Sequence, residues 1–181
     1  MADDSVLRKT IARIIKPWEG GLIDHPSDPG GFTNMGITIE SLQDYYDRKG
    51  INKTANRKDI INMDTATAES IYKYGYWIPA HCVRLPNPLA VLMFDGAINT
   101  GVEQVTYDLQ QALDIKQDGI FGPQTEKNAK EQYVSSPVIT LRDFAAARAE
   151  FYALLDDLDD DFGYGWMRRL FDCYNLAQEV G

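Results

Sequence analysis

Cysteine and histidine are scarce in this 181-residue sequence, two of each, and that scarcity removes several chemistries at once. Cys82 and Cys173 lie far apart and outside any C-x-x-C pattern, so a redox dithiol or thiolate metal site is not expected and a disulfide has no support. His25 and His81 lack the paired spacing of a metal site. No H-E-x-x-H, nucleophile elbow or phosphate-cradling glycine loop occurs either, so neither a metal nor a cofactor is expected. No apolar run is long enough to span a bilayer, and the first ten residues lack the apolar stretch of a secretory signal. The expectation is a chain made without a signal peptide and without membrane insertion, any export depending on another agent. Positive charge is also short: 18 Lys and Arg against 27 Asp and Glu give a formal net charge of -9. Phosphate-driven binding needs clustered cations, so nucleic acid is not an expected partner. The same charge gives no whole-molecule steering toward anionic polymers.

What is present suits one compact domain. Hydrophobic residues make up 44% and charged residues 25%, the balance of a folded globular chain, and the length allows one sizeable core. Leu7, Ile11, Ile14, Ile15 and Trp18 follow helical spacing and predict a first helix ending near Glu19, stopped by Gly20 and Gly21. Residues 22–38 hold Pro26, Pro29, Gly30, Gly31 and Gly36 among short alternating apolar residues, which predicts turns and a small hairpin. Helical patterns resume with Thr38 as an N-cap and Gly50 as a stop, then from Asp64 or Thr65 to Trp77. The run from Pro88 to Asn99 is apolar nearly all round in its first turns, the mark of a buried central helix. Further helices are expected over Val102–Leu113, Pro123–Tyr133, Val138–Leu155 and Gly165–Glu179, with the acidic run from Asp156 to Asp161 as a solvated loop. The fold class is therefore mainly α, with a small β element after the first helix.

Chemistry concentrates in the window from Trp18 to Thr38. It places Glu19 at a helix end beside an indole, followed by a turn-rich hairpin whose polar residues can fold back over that acid. Cleaving a glycosidic bond needs a proton donor, so such an acid must stay protonated above the ordinary glutamate value of about 4.3. A helix C-terminus carries partial negative charge and an indole removes water, and both push the pKa of Glu19 upward. Asp28 and Asp24 are the other carboxylates of this window. Ser27-Asp28-Pro29-Gly30 is also what a tight turn requires, so a purely structural role for Asp28 stands beside the catalytic one. Thr33 and Asn34 are short polar residues that either position water or satisfy the hairpin backbone. The separation of Glu19 and Asp28 through a turn leaves retention and inversion both open.

The string Trp18-Glu19-Gly20-Gly21, followed by Asp24-His25-Pro26-Ser27-Asp28-Pro29-Gly30-Gly31-Phe32-Thr33-Asn34-Met35-Gly36-Ile37-Thr38, resembles the signature of glycoside hydrolase family 108. That family comprises N-acetylmuramidases, among them phage endolysins, and members named as secretion activators. Tyr76-Trp77-Ile78-Pro79, Leu85-Pro86 and Phe94-Asp95-Gly96-Ala97-Ile98-Asn99-Thr100-Gly101 extend the match. Gln111-Ala112-Leu113 with Asp118-Gly119-Ile120-Phe121-Gly122-Pro123-Gln124-Thr125 is similar to the family's peptidoglycan-binding C-terminal part. Val83 and Arg84 depart from the acidic residue that commonly precedes the Leu-Pro pair.

The resemblance implies a lysozyme-like fold, with a catalytic part over residues 1–100 and a helical peptidoglycan-binding part over 101–181, packed as one unit. It implies hydrolysis of the bond between N-acetylmuramic acid and N-acetylglucosamine, with Glu19 as acid and either Asp28 or a water held by Thr33 and Asn34 on the other face. Trp18, Phe32, Tyr76 and Trp77 are the aromatic candidates for contact with the glycan, although Tyr72, Tyr74, Tyr76 and Trp77 at helical spacing also suit packing. Asp95 and Asn99, four apart on the central helix, would share one face and line the cleft or tie the helix to its neighbours. Peptidoglycan glycan strands are the expected partner, the chain acting as a monomer. The expected setting is an endolysin that accumulates in the host cytoplasm and leaves through holin pores. A lytic transglycosylase, and a wall-binding or secretion-assisting protein without turnover, are the competing readings.

Overall fold

The structure is a computed structural model that describes residues 2–19, 22, 32–155 and 160–181, the side chains of Glu19 and of residues 160–162 excepted. The chain opens with α1 (Asp4–Thr10), capped by Asp3, whose carboxylate accepts from the Ser5 and Val6 amides. It continues through a wide turn, Ile11–Ile15, in which the Lys16 amide reaches back to the Ile11 carbonyl, and ends in α2 (Lys16–Glu19). Pro17 explains the wide turn: proline supplies no amide and its ring crowds the carbonyl one turn back, which an ordinary helix does not tolerate. Leu7, Ile11, Ile14 and Ile15 are buried, as the spacing predicts, Val6 is buried beside them, and Trp18 at the end of the stripe is half-buried.

The hairpin follows as β1 (Thr33–Asn34) and β2 (Ile37–Thr38), antiparallel, pairing Thr33 with Thr38 and Asn34 with Ile37. Met35 and Gly36 make the two-residue turn with φ of 52° and 72°, the left-handed pair that matches the twist of a tight hairpin. Thr38 then caps α3 (Ile39–Lys49) by accepting from the Ser41 amide, and Gly50, at φ 65°, ends it. A short helix, α4 (Arg57–Ile61), was not expected from periodicity; it is held by a capping box between Asn56 and Asp59. Asp64 caps α5 (Thr65–Tyr72), which widens into a second i+5 turn over Lys73–Trp77.

The central helix α6 (Asn87–Asn99) is buried continuously from Pro88 to Ala97. Around it pack α7 (Val102–Ala112), α9 (Pro137–Ala153) and α10 (Asp160–Glu179), with α8 (Pro123–Ser135) against α9. The acidic run is thus divided: Asp160 and Asp161 begin α10 and are no loop, and its earlier residues lie outside the described ones. Cys82 and Cys173 are free and buried, and burial pushes both thiols well above their ordinary range, which makes them poor nucleophiles. The fold is mainly α, with a two-stranded sheet after the first helix, in the lysozyme-like arrangement. Among the described residues no helix is long and apolar enough to cross a membrane.

Candidate functional site

Glu19 ends α2, so its backbone sits at the negative end of that helix. Its side chain lies outside the described residues, as do Asp24, Asp28, Gly20 and Gly21. Its neighbour Trp18 is half-buried, and the indole Nε1 donates to Asp172 Oδ2 on α10 at 3.1 Å. The Arg168 guanidinium lies 5.7 Å from the Trp18 ring centre, and Arg13 on the wide turn forms a bidentate pair with Glu179 near the end of α10. The helix that delivers Glu19 is therefore fastened along its length to the last helix of the chain. Asp172 and Arg168 had no signal in the sequence, because an exposed Asp and Arg on an amphipathic helix look like solvated surface.

The hairpin is fastened on another side. Asn34 Nδ2 donates to the Ile60 carbonyl of α4 at 2.9 Å, which leaves its amide oxygen as an acceptor, and the Thr33 hydroxyl makes no hydrogen bond among the described residues. Arg57, also on α4, lies 4.0 Å from the Phe32 ring centre, so one face of that ring is covered by a cation. The Tyr72 hydroxyl donates to the Met35 carbonyl at 2.7 Å, locking the turn to α5, and Tyr76 packs on Tyr72 with ring centres 6.0 Å apart. Phe32, Thr33, Asn34 and Tyr76 thus gather around one hairpin.

Trp77 and Asp95 do not join them. Trp77 is buried without exposed surface, edge-on to Phe94 with ring centres 5.3 Å apart, so it is a core residue and has no face to offer a sugar. Asp95 is buried too: Oδ2 accepts from Arg148 Nη2 at 2.8 Å, and Oδ1 accepts from Arg169 Nε at 2.7 Å. Burial pushes its pKa up, but Arg169 and Arg148 more than offset this and hold the carboxyl below the usual range. The cleft role expected for Asp95 gives way to that of an ionic anchor joining α6, α9 and α10. Asn99 is exposed and donates weakly to Asp95 at 3.3 Å, so it supports the anchor.

The C-terminal string has its own organiser. Gln110 donates to Asp118 Oδ1, the Ile120 carbonyl and Thr125 Oγ1, while its oxygen accepts from the Asp118 and Gly119 amides, each at 2.9 Å. Arg84, where the sequence departs from the family pattern, pairs with Glu126 on α8. Of the cavities, a groove of about 320 Å³ between α9 and α10 is lined by Ala145, Ala149, Met167, Leu170 and Phe171. Apart from Arg142 and Tyr174 at its edge it offers no polar side chain with which to orient a polyol. A polar cavity of about 200 Å³ lies instead beside the hairpin, between α3 and the Lys73–Trp77 turn.

Comparison with known proteins accords with this architecture. Residues 12–101 match the model of the family Glycosyl hydrolase 108. The structure of Brucella abortus SagA is similar with a TM-score of 0.78 at 26% sequence identity, over 98% of this chain and 97% of that one. No curated protein sequence matches.

Proposed function

Through residues 12–101 the chain belongs to the glycosyl hydrolase 108 family, and we propose that it is an N-acetylmuramidase whose catalytic acid is Glu19. The observation that carries the reading is the placement of Glu19 as the last residue of the opening helix, inside the matched stretch and upstream of a braced hairpin. In this mechanism the Glu19 carboxyl protonates the oxygen between N-acetylmuramic acid and N-acetylglucosamine. Asp28, or a water held by the free Thr33 hydroxyl and the Asn34 amide oxygen, serves the opposite face of the ring. Phe32 and Tyr76 line the strand's path, and the bonds from Asn34 and Tyr72 preorganise the hairpin that carries it.

We place the protein as an endolysin that acts as a monomer, accumulates in the cytoplasm of a bacterial host and reaches the wall through holin pores. The test is loss of turbidity of permeabilised cells by wild type and Glu19→Gln, followed by end-group analysis of the products. A positioned general acid contributes roughly 100-fold or more, so Glu19→Gln should fall at least that far, and wild-type products should carry reducing ends. Full activity in Glu19→Gln would remove the proposed donor, and anhydro-muramic ends would make the enzyme a transglycosylase.

A further inference from the structure

The polar cavity between α3 and the Lys73–Trp77 turn shares Tyr76 with the cleavage site, and its other residues carry chemistry that the site does not use. Its wall carries three tyrosines, Tyr45, Tyr74 and Tyr76, together with Ser41, Asp44 and Arg48. Tyr45 and Tyr74 are tilted against each other with ring centres 6.4 Å apart, and Lys49 lies over the Tyr74 ring at 3.4 Å. Asp44 and Arg48, one helical turn apart, form no ion pair with each other. Arg48 spends one N–H on the Tyr74 carbonyl at 3.2 Å, whereas the Asp44 carboxylate has no hydrogen bond or ion pair among the described residues. An acceptor and a multiple donor on one wall, with tyrosine rings beside them, match a ligand that has alternating hydroxyls and an apolar ring face.

Size narrows the ligand. At about 200 Å³ the cavity falls below the roughly 300 Å³ at which sites for drug-sized molecules begin, so it takes one ring and not a chain. Position links it to the hairpin twice. The Ser41 hydroxyl pairs with Thr38 Oγ1 of β2 at 3.1 Å, and Tyr76 packs on the Tyr72 ring that holds the hairpin turn. The cavity wall and the hairpin are thus joined through two contacts.

We propose that this cavity is a secondary saccharide subsite that receives one N-acetylated hexose ring of the glycan strand beyond the cleaved bond; its role in turnover rests on the glycosidase reading. Asp44 accepts from ring hydroxyls, Arg48 donates to hydroxyl or acetamido oxygens, and the tyrosines present an apolar face to the ring.

The experiment is calorimetric titration of tetra-N-acetylchitotetraose into the full-length Glu19→Gln protein, alone and combined with Asp44→Ala or Arg48→Ala. Asp44 is exposed and has no partner among the described residues, so its substitution should leave thermal melting unchanged, and it carries the result if Arg48→Ala weakens the fold. Each variant should bind roughly tenfold more weakly, the loss of one charge-assisted hydrogen bond. Unchanged affinity in Asp44→Ala overturns the proposal. So does weakening toward a free stem tripeptide and not toward chitotetraose, which would make the cavity a peptide site. Wall degradation that persists in Glu19→Gln would sink the catalytic assignment and leave this binding comparison standing.

Discussion

Asp95→Asn should be among the most destabilising single-atom changes in this protein, and the reason lies in what it leaves behind. The carboxylate receives Arg148 Nη2 at 2.8 Å and Arg169 Nε at 2.7 Å, and all three side chains are buried. Arg148 is further committed to the Leu92 carbonyl and the Tyr152 hydroxyl, so it cannot swing out to water without breaking two more bonds. Removing one partner of a buried ion pair costs about 3–5 kcal/mol, because the other charge stays desolvated. Here two cations share the anion, which argues for the upper part of that range. With a urea slope of about 2 kcal/mol per molar, the midpoint should fall by roughly 2 M at unchanged slope.

Linkage gives a second readout. The pKa of Asp95 is lowered in the folded protein, so its stabilisation is present above the unfolded carboxyl value near 4 and is lost as pH falls through the lower folded value. Wild type should therefore lose stability on acidification over that window, and Asp95→Asn should lack this component. Arg148→Met in the Asp95→Asn background should cost less than the two changes summed. A midpoint shift under about 0.5 M, or equal acid sensitivity in both proteins, would refute the reasoning.

Asp108 is predicted to behave in the opposite sense. Burial raises its pKa to about 6 despite a bond from Gln104 Nε2 to Oδ1, and Oδ2 has no partner among the described residues. Stability linked to this group is fully present below about pH 4 and lost as pH rises through 6. Asp108→Asn should consequently raise the melting temperature at pH 7.5 and leave it little changed at about pH 3.5, as differential scanning calorimetry would reveal; a uniform effect at both would contradict the assignment. Gly96→Ala should destabilise, although alanine normally favours a helix by about 1 kcal/mol. Its Cβ would come 2.3 Å from Val105 Cγ2, where α6 and α7 cross. A loss of about 1–3 kcal/mol is expected, partly recovered in Gly96→Ala with Val105→Ala, and a stabilised single variant would show that the crossing yields.

Local rules made much of this architecture legible. Thr38 and Asp64 cap as their residue types suggest, Gly50 and Gly36 take the positive φ that only glycine adopts freely, and the apolar run in α6 marks the centre. Features that depend on competition between rules were hidden. The apolar spacing predicts a helix reaching Glu19, but it does not show the wide turn by which the helix accommodates Pro17. The α4 helix has only five residues, too few for a periodic pattern, and its capping box was the signal to use. For the site, aromatic type alone did not separate Trp77, which is core, from Tyr76, which borders the hairpin. Arg148 was readable in principle: it falls four residues after Phe144 and four before Tyr152 on the buried stripe of α9. A cation in that position demands an anion, and Asp95 on an otherwise apolar helix answers it.

The same anchor bears on how the two parts of the chain divide their work. The family match ends at residue 101, and the resemblance implies a catalytic part up to 100 and a wall-binding part after it, packed as one unit. The contacts show how closely the helices on either side of that boundary depend on each other. Asp95 finds its cations on α9 and α10, Trp18 finds its acceptor on α10, and Arg13 pairs with Glu179 there. A fragment ending at Gly101 would expose a helix that is apolar on every side, and it would bury or expose Asp95 without either arginine. Each loss alone is of the order of several kcal/mol, against a total stability of about 5–15. The fragment 1–101 should therefore show no cooperative unfolding by circular dichroism and no activity, and mixing it with the fragment 102–181 should restore both in part. A fragment 1–101 that melts cooperatively by itself would mean that α6 finds its partners within the first half, and that the last helix does not hold the acid-bearing one in place.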